Sequence, residues 1–220
     1  MGRGIGALST YFSLRTSRFL LVSIVSFLAC GSPPSAPTPS PAPPAGNAAR
    51  VLAITATAGF RHDSIPAAVS ALRHLAATTG EFTLTATNDL STLSAATLAA
   101  YDVVMFALTT GQLGLTGAQR TALIEFVERG GGFIGVHSAT DTLYEWPDYG
   151  RLVGAYFREH PWTQQATVVV EDASHPATAG LGGQFTIREE FYTFRDNPRP
   201  RVQVLLRLDA GSVGAAGDYP

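Results

Sequence analysis

From Arg50 onward, short apolar runs alternate with segments in which apolar positions recur every three or four residues. "RVLAITAT" (50–57) is an apolar, β-rich run followed by the loop "AGFRHD". In "SIPAAVSALRHLAATTG" (64–80), Val69, Leu72, Leu75 and Ala76 fall on one helical face. Ser64 is placed to cap that helix, Pro66 sits in its first turn and Gly80 ends it. His74 lies off the apolar stripe and reads as plain surface. "FTLTAT" (82–87) predicts a second strand and "SAATLAAY" (94–101) a short helix. The unbroken apolar run "DVVMFAL" (102–108) is what the centre of a parallel sheet requires, because both faces of such a strand are covered.

"TGAQRTALIEFVERGG" (116–131) is the strongest helical pattern. Thr116 is its cap, Leu123, Ile124 and Val127 line one face, and glycines close it. "GFIGVH" (132–137) is the next central strand. The rhythm of strand and helix predicts an α/β fold with a doubly wound, mostly parallel sheet. Ligands in such sheets sit beyond the carboxyl ends of the strands. That edge is expected to carry Gly59–Asp63, Thr109–Gln112 and His137–Asp141.

After residue 141 the rhythm loosens. "WPDYGRLVGAYFREHP" (146–161) reads as a short helix running into a loop, and "QATVVVED" (165–172), "QFTIREEFYTF" (184–194) and "RVQVLLRLD" (201–209) as strands.

The first 49 residues follow a different logic. Arg3, Arg15 and Arg18 precede the apolar run "FLLVSIVSFLA" (19–29), and the first acidic residue is Asp63. The run is shorter than the roughly 20 residues of a membrane span and suits a signal-peptide core. It ends at Ala29-Cys30, which resembles a bacterial lipobox with Cys30 as the lipidated residue, although Phe27 stands where such boxes usually have leucine. Ordinary secretion and an uncleaved N-terminal anchor are the alternatives. Residues 31–49 are rich in Pro, Ala and Ser and read as an extended spacer. The expected organisation is a signal peptide at 1–30, a linker at 31–49 and one domain at 50–220. Such a protein is exported and held at the cell envelope by a lipid anchor.

Composition removes several chemistries. All 15 basic residues are arginine, so Schiff-base catalysis and a Walker-type phosphate loop are excluded. The single cysteine, Cys30, leaves no thiol nucleophile in the domain. A formal net charge of −2 gives no basic surface for nucleic acid.

What remains is histidine, carboxylate and aromatic chemistry. His137 ends a buried strand at a Gly-flanked turn, where an imidazole can act as base or ligand, or simply hydrogen-bond a neighbouring loop. Arg61 and His62 follow the first strand and share that edge. The Arg61 fork suits a carboxylate or sugar hydroxyls, and pairing with Asp63 is the plainer alternative. His160 and His175 each precede a proline, which favours extended backbone. Glu190 and Tyr192, two apart on a strand, point the same way and suit acid/base work or sugar binding. Glu189 and Glu190 are adjacent and face apart, a poor fit to the paired carboxylates of glycoside hydrolysis. Trp146 and Trp162 can stack on sugar rings or pack in the core. A divalent metal held by some of His62, His137, His160, His175 and Glu190 would suit zinc, manganese or iron, but no local HxxxH or HExxH spacing points to one.

In order along the chain, "GFRHDSI", "GGGFIGVHSA", "W…LVGAYFREHP", "VVVEDASHPATAGL" and "REEFYTF" resemble the ThuA-like family, named for trehalose utilisation, across residues 50–220. The resemblance implies the fold of class I glutamine amidotransferases, which is flavodoxin-like, and an association with trehalose and keto-sugar catabolism. It departs from the family at Glu189-Glu190, where Asp-Glu is usual, and ends at "GDYP" before the family's typical C-terminal strand, implying a domain incomplete there. In glutamine amidotransferases the elbow after this strand carries the attacking cysteine. Here His137 stands in that place, so amidotransfer is excluded. The implied activity is proton abstraction from a keto-sugar or keto-glycoside, followed by elimination or isomerisation. His137, Glu190 and Tyr192 would be catalytic, and Arg61, His62, Trp146, His160 and His175 would bind substrate. A non-catalytic carbohydrate-binding surface lipoprotein is the alternative.

Overall fold

The computed structural model describes residues 48–220. The signal peptide, the lipobox at Cys30 and nearly all of the linker lie outside them. Among the described residues no helix is long and apolar enough to cross a membrane.

The first strand, β1 (Ala49–Ile54), starts one residue inside the segment read as linker. It leads through α1 (Ile65–Thr79) to β2 (Phe82–Thr87), and a short α2 (Ala95–Leu98) precedes β3 (Val103–Ala107). Then come α3 (Gly117–Glu128) and β4 (Gly132–Val136). The four strands form a parallel sheet in the order β2-β1-β3-β4. Side chains alternate across β1 and β3, so each strand feeds two cores. Leu52, Ile54, Val104 and Phe106 pack with Leu98, Leu123 and Phe126 from α2 and α3. Val51, Ala53, Met105 and Ala107 pack with Ile65 and Leu72 from α1. Helices therefore cover both faces, which is why the central strands read as continuous apolar runs. Full burial of each such large side chain contributes about 1.5–3 kcal/mol.

Local signals explain most helix ends. Thr116 and Gln119 form a reciprocal capping box on α3, with the Gln119 backbone N–H donating to Thr116 Oγ1 at 3.3 Å and the Thr116 N–H donating to Gln119 Oε1 at 2.8 Å. Gly80 takes the left-handed conformation that ends α1. Ser64 departs from expectation: it stands at the N-cap in a helical conformation and its side chain caps nothing.

The second half corrects the reading. A short α4 (Pro147–Val153) does follow Trp146, but the loop expected after it is the start of a 14-residue strand, β5 (Phe157–Val170). Register shifts between Phe157 and Trp162 accommodate Pro161, which lacks the N–H a regular ladder needs. β6 (Gln184–Phe194) and β7 (Leu206–Leu208) flank β5 antiparallel, giving a separate three-stranded sheet rather than an extension of the parallel one. The strand expected over 201–209 shrinks to three residues because only Leu206, Arg207 and Leu208 find partners on β5. A 3-10 turn at Arg199–Arg201, flanked by Pro198, occupies the start of that segment.

Candidate functional site

The strand order places the reversal of direction between β1 and β3, and the loops leaving the carboxyl ends of these strands and of β4 meet there. They are stitched together. Ala58 N–H donates to the Thr110 carbonyl at 2.8 Å, Thr110 Oγ1 donates to the Phe60 carbonyl at 2.6 Å, and Gly111 N–H donates to the Asp141 carbonyl at 2.8 Å. Gly111 has φ +73°, and a Cβ there would lie 2.6 Å from Gly59 N, so only glycine lets the two loops approach.

His137 follows β4 directly and has φ +53°, a left-handed conformation uncommon for a non-glycine residue. It opens a 3-10 turn over His137–Asp141. Buried bonds hold the turn: Tyr149 Oη donates to the Ala139 carbonyl at 2.7 Å, and Thr142 Oγ1 donates to the Ser138 carbonyl at 3.1 Å. A Thr109 Oγ1–Thr142 Oγ1 bond of 2.9 Å ties the turn to the β3 loop. Strain of this sort persists only where the surroundings enforce it. Here its effect is to aim the imidazole at His62 on the β1–α1 loop.

Three side chains converge on His137 Nε2. His62 Nε2 lies 3.2 Å away, Tyr192 Oη 3.0 Å and Glu190 Oε2 3.6 Å. His62 comes from the β1–α1 loop, whereas Glu190 and Tyr192 come from β6 of the second sheet, so the cluster spans both sheets. The His137 side chain is 22% exposed and that of Glu190 33%. Burial, then the facing His62, hold the His137 imidazole below the ordinary histidine range, against the pull of Glu190 and Glu189. It is neutral at neutral pH. Burial and then the Glu190 carboxylate push the Tyr192 phenol well above its usual range, so it stays protonated and able to donate. His62, His137 and Glu190 each offer a ligand atom, all within 4.8 Å of one another, and are the residues here able to hold a metal ion.

The other expected residues fall elsewhere. His160 is exposed on β5, its ring stacked 5.9 Å from Phe157 and 6.0 Å from Tyr192, beside the cluster but not in its ligand group. His175 is spent locally, since its Nδ1 accepts from Ala177 N–H at 3.1 Å and caps the turn Pro176–Thr178. Trp146 needs correction as a sugar platform: it is 6% exposed, sits in the core on Tyr149 and is covered by the Arg120 guanidinium. Arg61 is exposed at the rim.

Three neighbours escape a sequence reading. Ser138 Oγ lies 3.5 Å from His62 Nδ1, the Phe157 ring packs 4.4 Å from Tyr192, and Phe60, 70% exposed, meets His62 edge-on at 4.9 Å. The usable signal was adjacency for Phe60 and Ser138, each next to or near a chosen histidine, while Phe157 had none. On the far side of Tyr192 a cleft of about 390 Å³ is lined by Arg158, Trp162, Arg195, Asn197 and Tyr219.

Comparison with solved structures finds a ThuA-like protein from Bacteroides uniformis, 24% identical, with a TM-score of 0.67 over 84% of this chain and 80% of that one. A GMP synthase protein from Thermoplasma acidophilum is a more distant match, at 10% identity and a TM-score of 0.41 over 69% of each chain. No curated protein matches. Residues 50–220 match the family described as ThuA, trehalose utilisation. The chain therefore belongs to the ThuA family, with the α/β fold of its ThuA-like structural neighbour.

Proposed function

We propose that this protein acts on an oxidised sugar, removing the proton beside a ketone in a keto-sugar or keto-glycoside, with elimination or isomerisation to follow. The single observation that carries the reading is the convergence of Tyr192 Oη and the Glu190 carboxylate on a neutral His137 Nε2. Family membership supports carbohydrate as the substrate class.

The chemistry follows from charge. A ketone at C3 acidifies the hydrogen on C2, so a neutral imidazole suffices to take it as a proton. The C2–H electron pair becomes the enolate double bond and negative charge moves to the carbonyl oxygen. Tyr192, kept protonated by its surroundings, donates a hydrogen bond to that oxygen. Glu190 steadies the imidazolium as it forms. In elimination, the enolate electrons expel the C1 substituent, which leaves with a proton. In isomerisation, the proton returns to a different carbon. Tyr192 also lines the cleft of about 390 Å³ with Trp162 and Tyr219, so a sugar reaching the cluster can extend into it past Tyr192.

Export and lipid attachment at Cys30 belong to the same reading and rest on the N-terminal sequence. The test is turnover. 3-keto-trehalose and 3-keto-glucosides are incubated with the protein and with His137→Ala and followed by NMR. Consumption that requires His137 upholds the proposal. Sugar binding without consumption, equal in the two proteins, replaces it with a non-catalytic carbohydrate-binding role.

A further inference from the structure

We propose that His62, His137 and Glu190 bind one divalent transition-metal cation, with Tyr192 beside its open coordination positions. Binding stands on the geometry alone, and only its use in catalysis rests on the keto-sugar reading.

His137 Nε2 has more partners than it can serve. A neutral imidazole nitrogen carries one lone pair or one proton, so it satisfies one hydrogen-bond partner. His137 Nε2 has two within hydrogen-bond distance, His62 Nε2 at 3.2 Å and Tyr192 Oη at 3.0 Å, and the Glu190 carboxylate Oε2 stands just beyond at 3.6 Å. One proton or one lone pair cannot be well aligned with all of these groups at once. A cation at the focus accepts the lone pairs of His62, His137 and Glu190 at once.

The spacing fits. Metal–nitrogen bonds of about 2.0–2.1 Å in a tetrahedral site place neighbouring ligand atoms about 3.3 Å apart. The separations of 3.2 and 3.6 Å from His137 Nε2 lie on either side of that value, and the ion would draw His62 and Glu190, now within 4.8 Å of each other, closer together. Two imidazoles and one carboxylate are a donor set for zinc, iron(II) or manganese(II), and three protein ligands leave positions free for a substrate.

Charge agrees with geometry. Two neutral imidazoles and one carboxylate carry −1, so a bound dication leaves the site at +1 and attractive to a carbonyl or enolate oxygen. His137 would then be a ligand rather than the base.

The site also has a structural consequence. His62 leaves the β1–α1 loop, His137 the β4 elbow and Glu190 strand β6, so one cation would tie the parallel sheet to the antiparallel one.

The experiment needs no sugar. Purified protein is freed of metal with a chelator and titrated with Co²⁺, followed by visible absorption and calorimetry, then challenged with Zn²⁺. The expected result is one equivalent of Co²⁺ with bands of a four- or five-coordinate site, displaced by Zn²⁺, and a raised melting temperature. Affinity should fall by more than about 100-fold in His62→Gln, His137→Asn and Glu190→Gln, beyond the roughly 10–100-fold of an outer-shell change. His160→Gln and His175→Gln should retain it, and circular dichroism confirms that each variant is folded. A folded wild-type protein that takes up none of Co²⁺, Zn²⁺, Mn²⁺ or Fe²⁺ overturns the site, as does binding unchanged in all three ligand variants. Metal binding without keto-sugar turnover upholds the site and sinks the substrate reading. Turnover by metal-free protein that binds no cation does the reverse.

Discussion

Tyr192 Oη lies 3.0 Å from His137 Nε2, although the residues belong to different sheets and stand 55 positions apart. Both are half-buried, the first kept protonated and the second kept neutral. In the keto-sugar reading the imidazole takes the substrate proton while the phenol keeps its own and hydrogen-bonds the enolate oxygen. Tyr192→Phe removes the hydroxyl and keeps the ring against Phe157. Keto-sugar turnover should fall by about 10²–10³-fold, the range for a lost oxyanion hydrogen-bond donor. The loss should appear in kcat rather than KM, measured by NMR progress curves.

The depressed titration of His137 has a consequence for stability. In the unfolded chain its imidazole titrates near 6.5, and in the folded chain lower. The unfolded state therefore binds more protons as pH falls through that window, so this group's contribution is present above about pH 6.5 and lost below it. The urea midpoint of chelator-treated protein should fall between about pH 7.5 and pH 5. His137→Asn, which tolerates the left-handed backbone, should flatten that slope.

Gly111 holds the β1 and β3 loops together. Gly111→Ala places a side chain in a left-handed conformation and drives its Cβ into the Gly59 backbone. The conformational part alone costs about 1–3 kcal/mol. Melting should drop by roughly 2–4 °C per kcal/mol in a domain of this size, with a further loss from the displaced His62 loop.

Trp146 is a core residue, not a platform. Trp146→Ala should destabilise by about 3–5 kcal/mol, the usual cost of removing a large buried aromatic side chain. Equilibrium urea unfolding reads the change directly, and a midpoint close to wild type would return Trp146 to the surface.

Lipid attachment is tested in a bacterial host. Labelled palmitate should be incorporated by the full chain and lost in Cys30→Ala. Equal labelling of the two proteins would remove the lipobox reading.

The sequence by itself determined the parallel half of the molecule. Unbroken apolar runs, a period-3.6 apolar pattern, the Thr116 cap and the Gly80 stop are local, and the local physics that made them legible also made the elements form. The same logic placed His62 and His137 at one sheet edge, since in a parallel sheet every strand's carboxyl end lies on the same side. Tertiary structure decided the rest. Whether Phe157–Val170 is loop or strand depends on β6 and β7, which arrive later in the chain and supply its hydrogen bonds. Whether Trp146 stacks on a ligand or in the core depends on Tyr149 and Arg120 closing over it. As possible metal ligands His160, His175 and Glu190 stood level along the chain, and only the docking of β6 against the His137 elbow separated them. Pattern reports what a residue prefers near its neighbours in sequence. A site built from positions 62, 137, 190 and 192 is a contact between loops and strands that share no local signal, and it exists only once two sheets have packed together.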